Sequence, residues 1–277
     1  MTGLVLDDGP LTVRSNGMDT AVFTSFDGAE IAYHTWEPRV AAEGVPPVVL
    51  QHGFAASTES NWVGPGVVDA LLESGRRVVG VDARGHGRSQ KSGDPAFFGE
   101  RNMSRDHQAL FDRLELSEVD LVGYSMGAIV SLLTASRDRR VRRLVVGGVG
   151  GAVVELGGVD TGALDGGGEL VSALRADDPT NLTGPAAEFR RFAEANGADL
   201  PSLAAQAAAV HDTPIELPAI TAPTALIAGT EDYLARNPER LVEALPHATL
   251  STLTGDHLGV VREKAFASTI ASFLDVG

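Results

Sequence analysis

Cysteine is absent from this chain of 277 residues, which excludes disulfides, thiolate metal sites and a cysteine nucleophile. Aromatic residues make up only 5% of the chain, and lysine occurs only at Lys91 and Lys264. No apolar run approaches the roughly 18 residues of a membrane-spanning helix, so we expect no membrane span. The start, MTGLVLDDGP, lacks the basic and apolar regions of a secretory signal, and we therefore expect a cytoplasmic protein.

Positive charge is in deficit along the chain. It has 37 acidic and 22 basic residues, for a formal net charge of −15. This balance argues against nucleic acid and anionic membranes as partners, because both favour clustered lysine and arginine. The hydrophobic content of 43% and the charged content of 21% are ordinary for a globular protein. The length suits one large domain, or a domain with an insertion.

Short apolar strands alternate with helical segments along the first 150 residues. The segment 21–38 reads as a hairpin around Asp27-Gly28, and four strands are predicted at 46–54, 76–82, 119–123 and 141–150. Helical spacing between them predicts helices over 66–75, 104–116 and 126–136. Strands that alternate with helices in this way indicate parallel β-α units, with helices on both faces of one sheet.

The alternation stops after Gly150. Residues 151–168 are rich in glycine, and three helical pieces follow without a strand between them, at 169–177, 184–196 and 200–212. Strands at 222–232 and 248–256 and helices at 237–245 and 258–274 then restore the alternation. We therefore predict an α/β core formed by residues 1–150 and 220–277, with residues 151–219 inserted as a helical cap or lid. The glycine-rich stretch 147–168 is a candidate hinge for this insertion.

Ser125 occurs in the sequence GYSMG, where the strand 119–123 ends and the helix 126–136 begins. A nucleophilic serine must stand clear of the carboxyl end of a sheet, and a tight strand-to-helix turn achieves this. Such a turn strains the backbone of the serine and leaves no room for side chains two residues away, which explains Gly123 and Gly127. The new helix adds free N–H groups near the serine. The alternative is a serine that only caps the helix.

The order and spacing of five motifs resemble the α/β-hydrolase fold family, and specifically its lid-bearing serine hydrolases. The motifs are HGF (52–54), DARGHGRS (82–89), GYSMG (123–127), LIAGTED (226–232) and GDH (255–257). The resemblance extends from the hairpin at 21–38 to the last helix. It implies an α/β fold with a mostly parallel, twisted sheet of eight strands, helices on both faces and a helical cap. It also implies that no cofactor and no metal is needed.

The resemblance further implies a catalytic triad. A serine nucleophile needs a general base, and His257 matches the family's catalytic histidine, after the last strand. Asp232 in GTED matches the position of the family's acid, in the chain order serine, acid, histidine. His52 and His86 lie in turns near the same edge of the sheet, but in families of this kind they look structural. We therefore predict Ser125, Asp232 and His257 as the triad.

Several other residues remain open as alternatives. Glu231 is the nearest competitor of Asp232, while Glu155 and Asp160 represent the acid position that some subfamilies use. His52 and His86 are weaker candidates for the base. His211, in the predicted cap, is a candidate for substrate contact.

An oxyanion needs two preorganised hydrogen-bond donors. The resemblance implies that the backbone N–H groups of Met126 and Phe54 form this oxyanion hole, and that their side chains line an apolar acyl pocket. Both donors belong to the main chain, so side-chain identity does not test them.

These residues together predict a serine hydrolase that cleaves a carboxylic ester or lactone of a small molecule through an acyl-enzyme. A C–C bond hydrolase or a cofactor-free perhydrolase is the alternative, because both keep the serine. Epoxide hydrolases and haloalkane dehalogenases have an aspartate where this chain has Ser125. A ligand-binding protein without turnover is less favoured, because such relatives usually lose a triad residue. The chain has neither a dinucleotide-binding G-x-G-x-x-G after its first strand nor a Walker motif.

Overall fold

The computed structural model describes residues 13–15, 17–158, 168–211 and 213–275. Within these residues nine strands form one sheet. In chain order the strands are β1 (Val13–Ser15), β2 (Met18–Thr24), β3 (Glu30–Trp36), β4 (Val48–Gln51), β5 (Val78–Val81), β6 (Val119–Tyr124), β7 (Val141–Gly147), β8 (Thr224–Gly229) and β9 (Ala248–Leu253). Across the sheet they follow the order β1-β2-β3-β5-β4-β6-β7-β8-β9.

Helices connect the strands from β4 onward. In chain order they are α1 (Val67–Glu73), α2 (Glu100–Arg113), α3 (Met126–Ala135), α4 (Ala152–Leu156), α5 (Gly168–Arg175), α6 (Gly184–Ala195), α7 (Leu200–Ala207), α8 (Pro238–Ala244) and α9 (Lys264–Asp275). No helix in the described ranges is both long enough and apolar enough to cross a membrane.

The predicted α/β sheet is confirmed. The strands β4 to β9 pair in parallel, whereas β1, β2, β3 and β5 form antiparallel pairs at one side. The eight strands from β2 to β9 are the predicted sheet, and the three-residue β1 extends its antiparallel edge.

The predicted helices differ from the observed ones mainly at their ends. The helix predicted over 104–116 begins earlier, at Glu100. The helix predicted over 258–274 begins later, at Lys264, because Val260–Arg262 forms a separate helical turn and Glu263 is extended. The short helix α4 was not predicted, since its sequence lies within the glycine-rich stretch.

The central strands are apolar along their whole length because helices cover both faces of the sheet. Every residue of β4, β5 and β6 is buried. On one face the strands pack against α2 and α3, and on the other against α1 and α9. The burial of each leucine or valine in these layers stabilises the fold by about 1.5–3 kcal/mol. The helices on both faces thus fix the position of the carboxyl edge of the sheet, where the candidate site lies.

The helices α5, α6 and α7 lie between β7 and β8 in the chain and form an apolar cluster of their own. Their side chains pack on Ala55, after β4, and on Leu234, after β8. Buried Arg190 ties α6 to the end of α5, because its Nη1 donates to the carbonyls of Ala173 (2.7 Å) and Ala176 (3.1 Å). The inserted helices therefore rest on loops that leave the carboxyl edge of the sheet. The candidate hinge lies partly outside the described residues, which omit 159–167.

Glu100 is a buried carboxylic acid that joins α2 to the segment after α7. Its Oε2 accepts a hydrogen bond from the backbone N–H of His211 at 2.8 Å. Burial raises the pKa of Glu100 from its ordinary value of 4.5 to about 7. Between these two pH values the native state therefore binds a proton that the unfolded state has released. Stability should fall as the pH rises through this window and should stay low above it.

The substitution Glu100→Gln removes this dependence, because a glutamine oxygen still accepts the N–H of His211 and never ionises. We expect the variant to be more stable than the wild type at pH 8, by up to about 3 kcal/mol, and similar to it at pH 4.5. Denaturant unfolding at both pH values measures the difference. The matched control is Glu73→Gln on the exposed face of α1. An equal response of both variants to pH would contradict the assignment to Glu100.

Candidate active site

Ser125 occupies a strained turn between β6 and α3. Its backbone angles are φ 54° and ψ −118°, an unfavourable region for a side-chain-bearing residue. Its N–H donates to the carbonyl of Gly147 at 2.8 Å, which ties the turn to the neighbouring strand β7. The hydroxyl makes no capping hydrogen bond to α3. The interpretation of Ser125 as a mere helix cap therefore has no support in the geometry.

The two glycines around Ser125 are required by close backbone contacts. A Cβ atom at Gly123 would lie 2.2 Å from the carbonyl oxygen of Gly127, and one at Gly127 would lie 2.1 Å from that of Gln51. Both distances are far below van der Waals contact, and the opposing atoms are main-chain oxygens that cannot rotate away. Small residues are therefore needed at both positions, as the sequence pattern predicted.

Replacing Gly127 with alanine should destabilise the fold, because α3 must move away from the end of β4. We expect a loss of about 2–3 kcal/mol in the free energy of unfolding, together with reduced activity from the displaced turn. Denaturant unfolding measures the loss. Gly64→Ala is the matched control, because a Cβ there meets no atom closer than 3.6 Å. Equal stability of the two variants would contradict the steric argument.

The structure brings Ser125, His257 and Asp232 together. The Nε2 atom of His257 lies 2.9 Å from the Oγ of Ser125, and its Nδ1 lies 2.9 Å from both carboxylate oxygens of Asp232. All three side chains are buried. Because the carboxylate only accepts hydrogen bonds, Nδ1 must hold the proton and Nε2 is left to accept the serine hydroxyl.

Asp232 and His257 are themselves held in place by main-chain groups. The Oδ1 atom of Asp232 also accepts the N–H groups of Leu234 (3.0 Å) and Ala235 (3.2 Å). The hydroxyl of Tyr124 donates to the carbonyl of His257 at 2.7 Å. Burial raises the pKa of Tyr124 well above its usual value, so this hydroxyl stays protonated. The role of Tyr124 in supporting His257 was not predicted, because no sequence spacing links residues this far apart.

His52 and His86 hold the loop after β4, as their structural interpretation predicted. The Nδ1 of His52 donates to the carbonyl of Gly53 at 2.8 Å, and its Nε2 accepts the N–H of Ala83 at 3.0 Å. His86 likewise donates to a carbonyl and accepts the N–H of Ala55 at 3.1 Å. Burial lowers the pKa of both rings, to about 3 for His86, which keeps them neutral. Since all four ring nitrogens are occupied, neither histidine is available to Ser125.

The N–H groups of Phe54 and Met126 remain unbonded within the described part of the chain. Their neighbours are fixed: the N–H of Gly53 donates to the Oδ1 of Asn61 at 2.9 Å, and Ala55 has a positive φ of 60°. Rigid loops that leave two N–H groups unpaired are suited to receive an oxyanion.

The alternative site residues lie elsewhere. Glu231 is exposed, and Glu155 forms a surface ion pair with Arg240. His211 does not line the cleft beside Ser125, and its backbone bonds to Glu100 instead. Asp160 lies outside the described residues.

A narrow, mostly apolar cleft opens beside Ser125. It encloses about 430 Å³ including its open mouth. Its walls are formed by the loop after β4, the inserted helix α6 and the turn after His257. The residues that line it are Gly53, Phe54, Ala56, Ser60, Asn61, Tyr124, Ser125, Phe189, Phe192, His257, Leu258, Val261 and Arg262. Across the described residues, no group of three or more histidine, aspartate or glutamate side chains is arranged to hold a metal ion.

Comparison with known proteins identifies the family. The model of the alpha/beta hydrolase fold matches residues 46–201, and the chain therefore belongs to this family. Among solved structures it is similar to a hydrolase from Pseudomonas aeruginosa PA01, at 26% identity and a TM-score of 0.74, over 93% of this chain and 98% of that one. An esterase from Exiguobacterium antarcticum shares the fold, at 22% identity and a TM-score of 0.73, over 91% of this chain and 98% of that one.

Two curated relatives match a shorter stretch. The mouse (Mus musculus) sn-1-specific diacylglycerol lipase ABHD11 is 40% identical over 104 residues, which are 37% of this chain. The 2-hydroxy-6-oxo-2,4-heptadienoate hydrolase of Pseudomonas putida is 38% identical over 111 residues, or 40% of this chain. The match spans 32% of the length of the first relative and 40% of the second.

Proposed function

We propose that this protein is a serine hydrolase that cleaves a carboxylic ester or lactone of a small molecule through an acyl-enzyme. The observation that supports the proposal most strongly is the hydrogen-bonded chain from Ser125 through His257 to Asp232, at the strained turn after β6. A general base in contact with a serine, and oriented by a buried carboxylate, is the arrangement that activates a hydroxyl as a nucleophile.

The proposed reaction uses each of these groups in turn. The Oγ atom of Ser125 attacks the acyl carbon while His257 accepts its proton, and the N–H groups of Phe54 and Met126 bind the oxyanion. His257, with its positive charge stabilised by Asp232, then gives the proton to the departing alcohol. A water molecule attacks the acyl-enzyme as His257 accepts one of its protons. Transfer of that proton back to Ser125 releases the acid and restores the site.

We also propose that residues 151–219 act as a cap. Phe189 and Phe192 of α6 line the cleft. The ring centroid of Phe189 lies 6.2 Å from the ring centroid of Phe54 and 6.4 Å from that of His257. The inserted helices thus form one wall of the space in which an acyl chain would bind. Apolar walls with few polar groups are typical of sites for small organic ligands.

A C–C bond hydrolase is the second candidate. It is favoured by the 38% identity to the 2-hydroxy-6-oxo-2,4-heptadienoate hydrolase of Pseudomonas putida over 111 residues. The same serine, base and oxyanion donors would serve either reaction, so the two candidates differ in substrate and not in the proposed triad.

Hydrolysis of p-nitrophenyl esters from acetate to decanoate tests the proposal, together with labelling by a fluorophosphonate. We expect turnover that depends on chain length, and a covalent adduct that peptide mass spectrometry maps to Ser125. Labelling at Ser125 without ester turnover would favour the C–C bond candidate, which a panel of dienoate substrates then checks. If the protein shows no turnover and takes no label, that result would contradict both candidates and would favour a binding protein.

A further inference from the structure

The cleft beside Ser125 contains one charged donor group that the proposed reaction does not use. Its walls are largely apolar, formed by residues such as Phe54, Phe189, Phe192, Leu258 and Val261. Polar groups in a cleft of this kind fix the orientation of a ligand and decide which ligands bind. That group is the guanidinium of Arg262.

Arg262 ends the helical turn that follows His257, and it lines the cleft as an exposed side chain. Within the described part of the chain its guanidinium has no hydrogen-bond or ion-pair partner. No aspartate or glutamate in the described residues lines the cleft. Glu263, which follows Arg262 in the sequence, is not among the lining residues. The cleft of a protein with a net charge of −15 thus has a permanent positive charge at its rim. Low-dielectric walls strengthen the attraction of such a charge for an anion.

Asn61 lies deeper and is only 5% exposed. Its Oδ1 accepts the N–H of Gly53 at 2.9 Å, and this bond fixes which end of the amide is the oxygen, because an N–H requires an acceptor. The Nδ2 atom is then a buried donor without a partner among the described residues. A buried donor left unpaired costs about 1–3 kcal/mol. Because this atom is buried, Asn61 shapes the cleft by holding Gly53, and Arg262 is the charged group that a ligand in the cleft can reach.

We infer that the cleft selects esters that carry a carboxylate in addition to the ester group, with Arg262 binding the carboxylate. Arginine suits this role because its planar fork of N–H groups matches the two oxygens of a carboxylate. The apolar walls of the cleft, which both Ser125 and Arg262 line, accommodate the carbon chain of the substrate. The inference rests on the proposed serine hydrolase function and adds the class of substrate to it.

Two pairs of esters, each matched in size, test the inference. In the first pair the acyl chain ends in a carboxylate or a methyl group: the mono-4-nitrophenyl ester of adipic acid and 4-nitrophenyl hexanoate. In the second pair the alcohol side differs in the same way: 4-carboxyphenyl acetate and 4-methylphenyl acetate. The quantity measured is the ratio of kcat/KM for the acidic ester to kcat/KM for the neutral ester. Comparing this ratio between variants cancels the intrinsic reactivity of the esters.

We expect Arg262→Gln to lower the ratio about fivefold in at least one pair, mainly through a higher KM for the acidic ester. Arg262→Glu should lower it further, since it places a like charge at the rim. High salt should lower the ratio of the wild type, because the ion pair is solvent-accessible. Arg101→Gln, an exposed arginine of α2 away from the cleft, is the control with the same change in net charge and should leave the ratio unchanged.

The outcomes separate the inference from the function on which it rests. Ratios that stay unchanged in Arg262→Gln and Arg262→Glu would overturn the selection of carboxylates, while turnover of the neutral esters would leave the serine hydrolase proposal standing. An equal fall in Arg101→Gln would also overturn it, because the effect would then be one of overall charge. A wild type that hydrolyses none of the four esters and takes no fluorophosphonate label would overturn the proposed function and the inference together.

Discussion

Replacing Ser125 with alanine is expected to lower kcat/KM for a p-nitrophenyl ester by at least about 10⁴-fold. The variant removes the hydroxyl that contacts the Nε2 atom of His257, so no acyl-enzyme can form. The remaining N–H donors and the cleft are left intact, and any residual turnover would come from direct attack by water. Loss of the fluorophosphonate adduct should accompany the loss of turnover.

The control for this experiment is Ser136→Ala. Ser136 follows the other end of α3, where its hydroxyl bonds only to the carbonyl of Leu133 at 3.0 Å. This variant should keep the activity of the wild type, and both variants should unfold at similar denaturant concentrations. Full turnover by the Ser125→Ala protein would exclude the acyl-enzyme mechanism. Such a result would instead favour a mechanism in which His257 activates a water molecule directly.

The second large effect is expected for Asp232→Asn, which should lower kcat by about 10³–10⁴-fold. An asparagine that keeps its oxygen at the Oδ1 position presents an amide N–H₂ group to the Nδ1 of His257 in place of Oδ2, and its one oxygen is shared between Nδ1 and two main-chain N–H groups. The ring would then favour the tautomer with its proton on Nε2, which cannot accept the proton of Ser125. The asparagine oxygen can still accept the N–H groups of Leu234 and Ala235, so the loop after β8 should keep its shape.

Glu231→Gln is the matched control for Asp232→Asn, because it makes the same chemical change one residue away. Glu231 is exposed and its side chain does not reach His257 in the structure, so we expect its activity to stay within about twofold of the wild type. Measuring kcat for both variants with the same ester decides between the two carboxylates. A large loss in Glu231→Gln and a small one in Asp232→Asn would reverse the assignment of the acid.

The fold could be predicted from the sequence because its signals are local. Strands such as VDLVG and helices such as GVVDALLESG differ in period and length, and each of these two segments ends at a glycine. The alternation of the two implies a parallel sheet with both faces covered, and the structure confirms this. The ends of the helices were predicted less accurately. The last helix was predicted to begin at residue 258, but α9 begins six residues later, at Lys264, because the separate turn Val260–Arg262 comes before it.

The turn around Ser125 could also be predicted, because the small residues that it requires lie within two positions of Ser125 in the sequence. Only glycine fits at positions 123 and 127, where a Cβ would lie 2.2 Å and 2.1 Å from main-chain oxygens. The sequence shows those glycines directly, together with the strand before them and the helix after them. By contrast, the roles of Asp232 and His257 came from a resemblance to a family, and they stay predictions until the variants are measured.

Contacts between distant parts of the chain were decided by the tertiary structure alone. Tyr124 and His257 are 133 residues apart, and the bond between them depends on how β6 packs beside the last loop. His52 and His86 are held neutral by burial, and their partners are main-chain atoms that no residue type reveals. Asn61 and Arg262 belong to no motif, and only folding places both at the cleft beside Ser125.

The sequence by itself thus determined the sheet, the strained turn and the identity of the candidate nucleophile, because periodicity and steric exclusion act over a few residues. The tertiary structure determined which histidine contacts Ser125 and which carboxylate contacts that histidine. It also determined that Arg262 lines the cleft. The physical reason is that burial, hydrogen bonding and charge at this site depend on loops brought together from five strands of one sheet, and those distances exist only after the chain has folded.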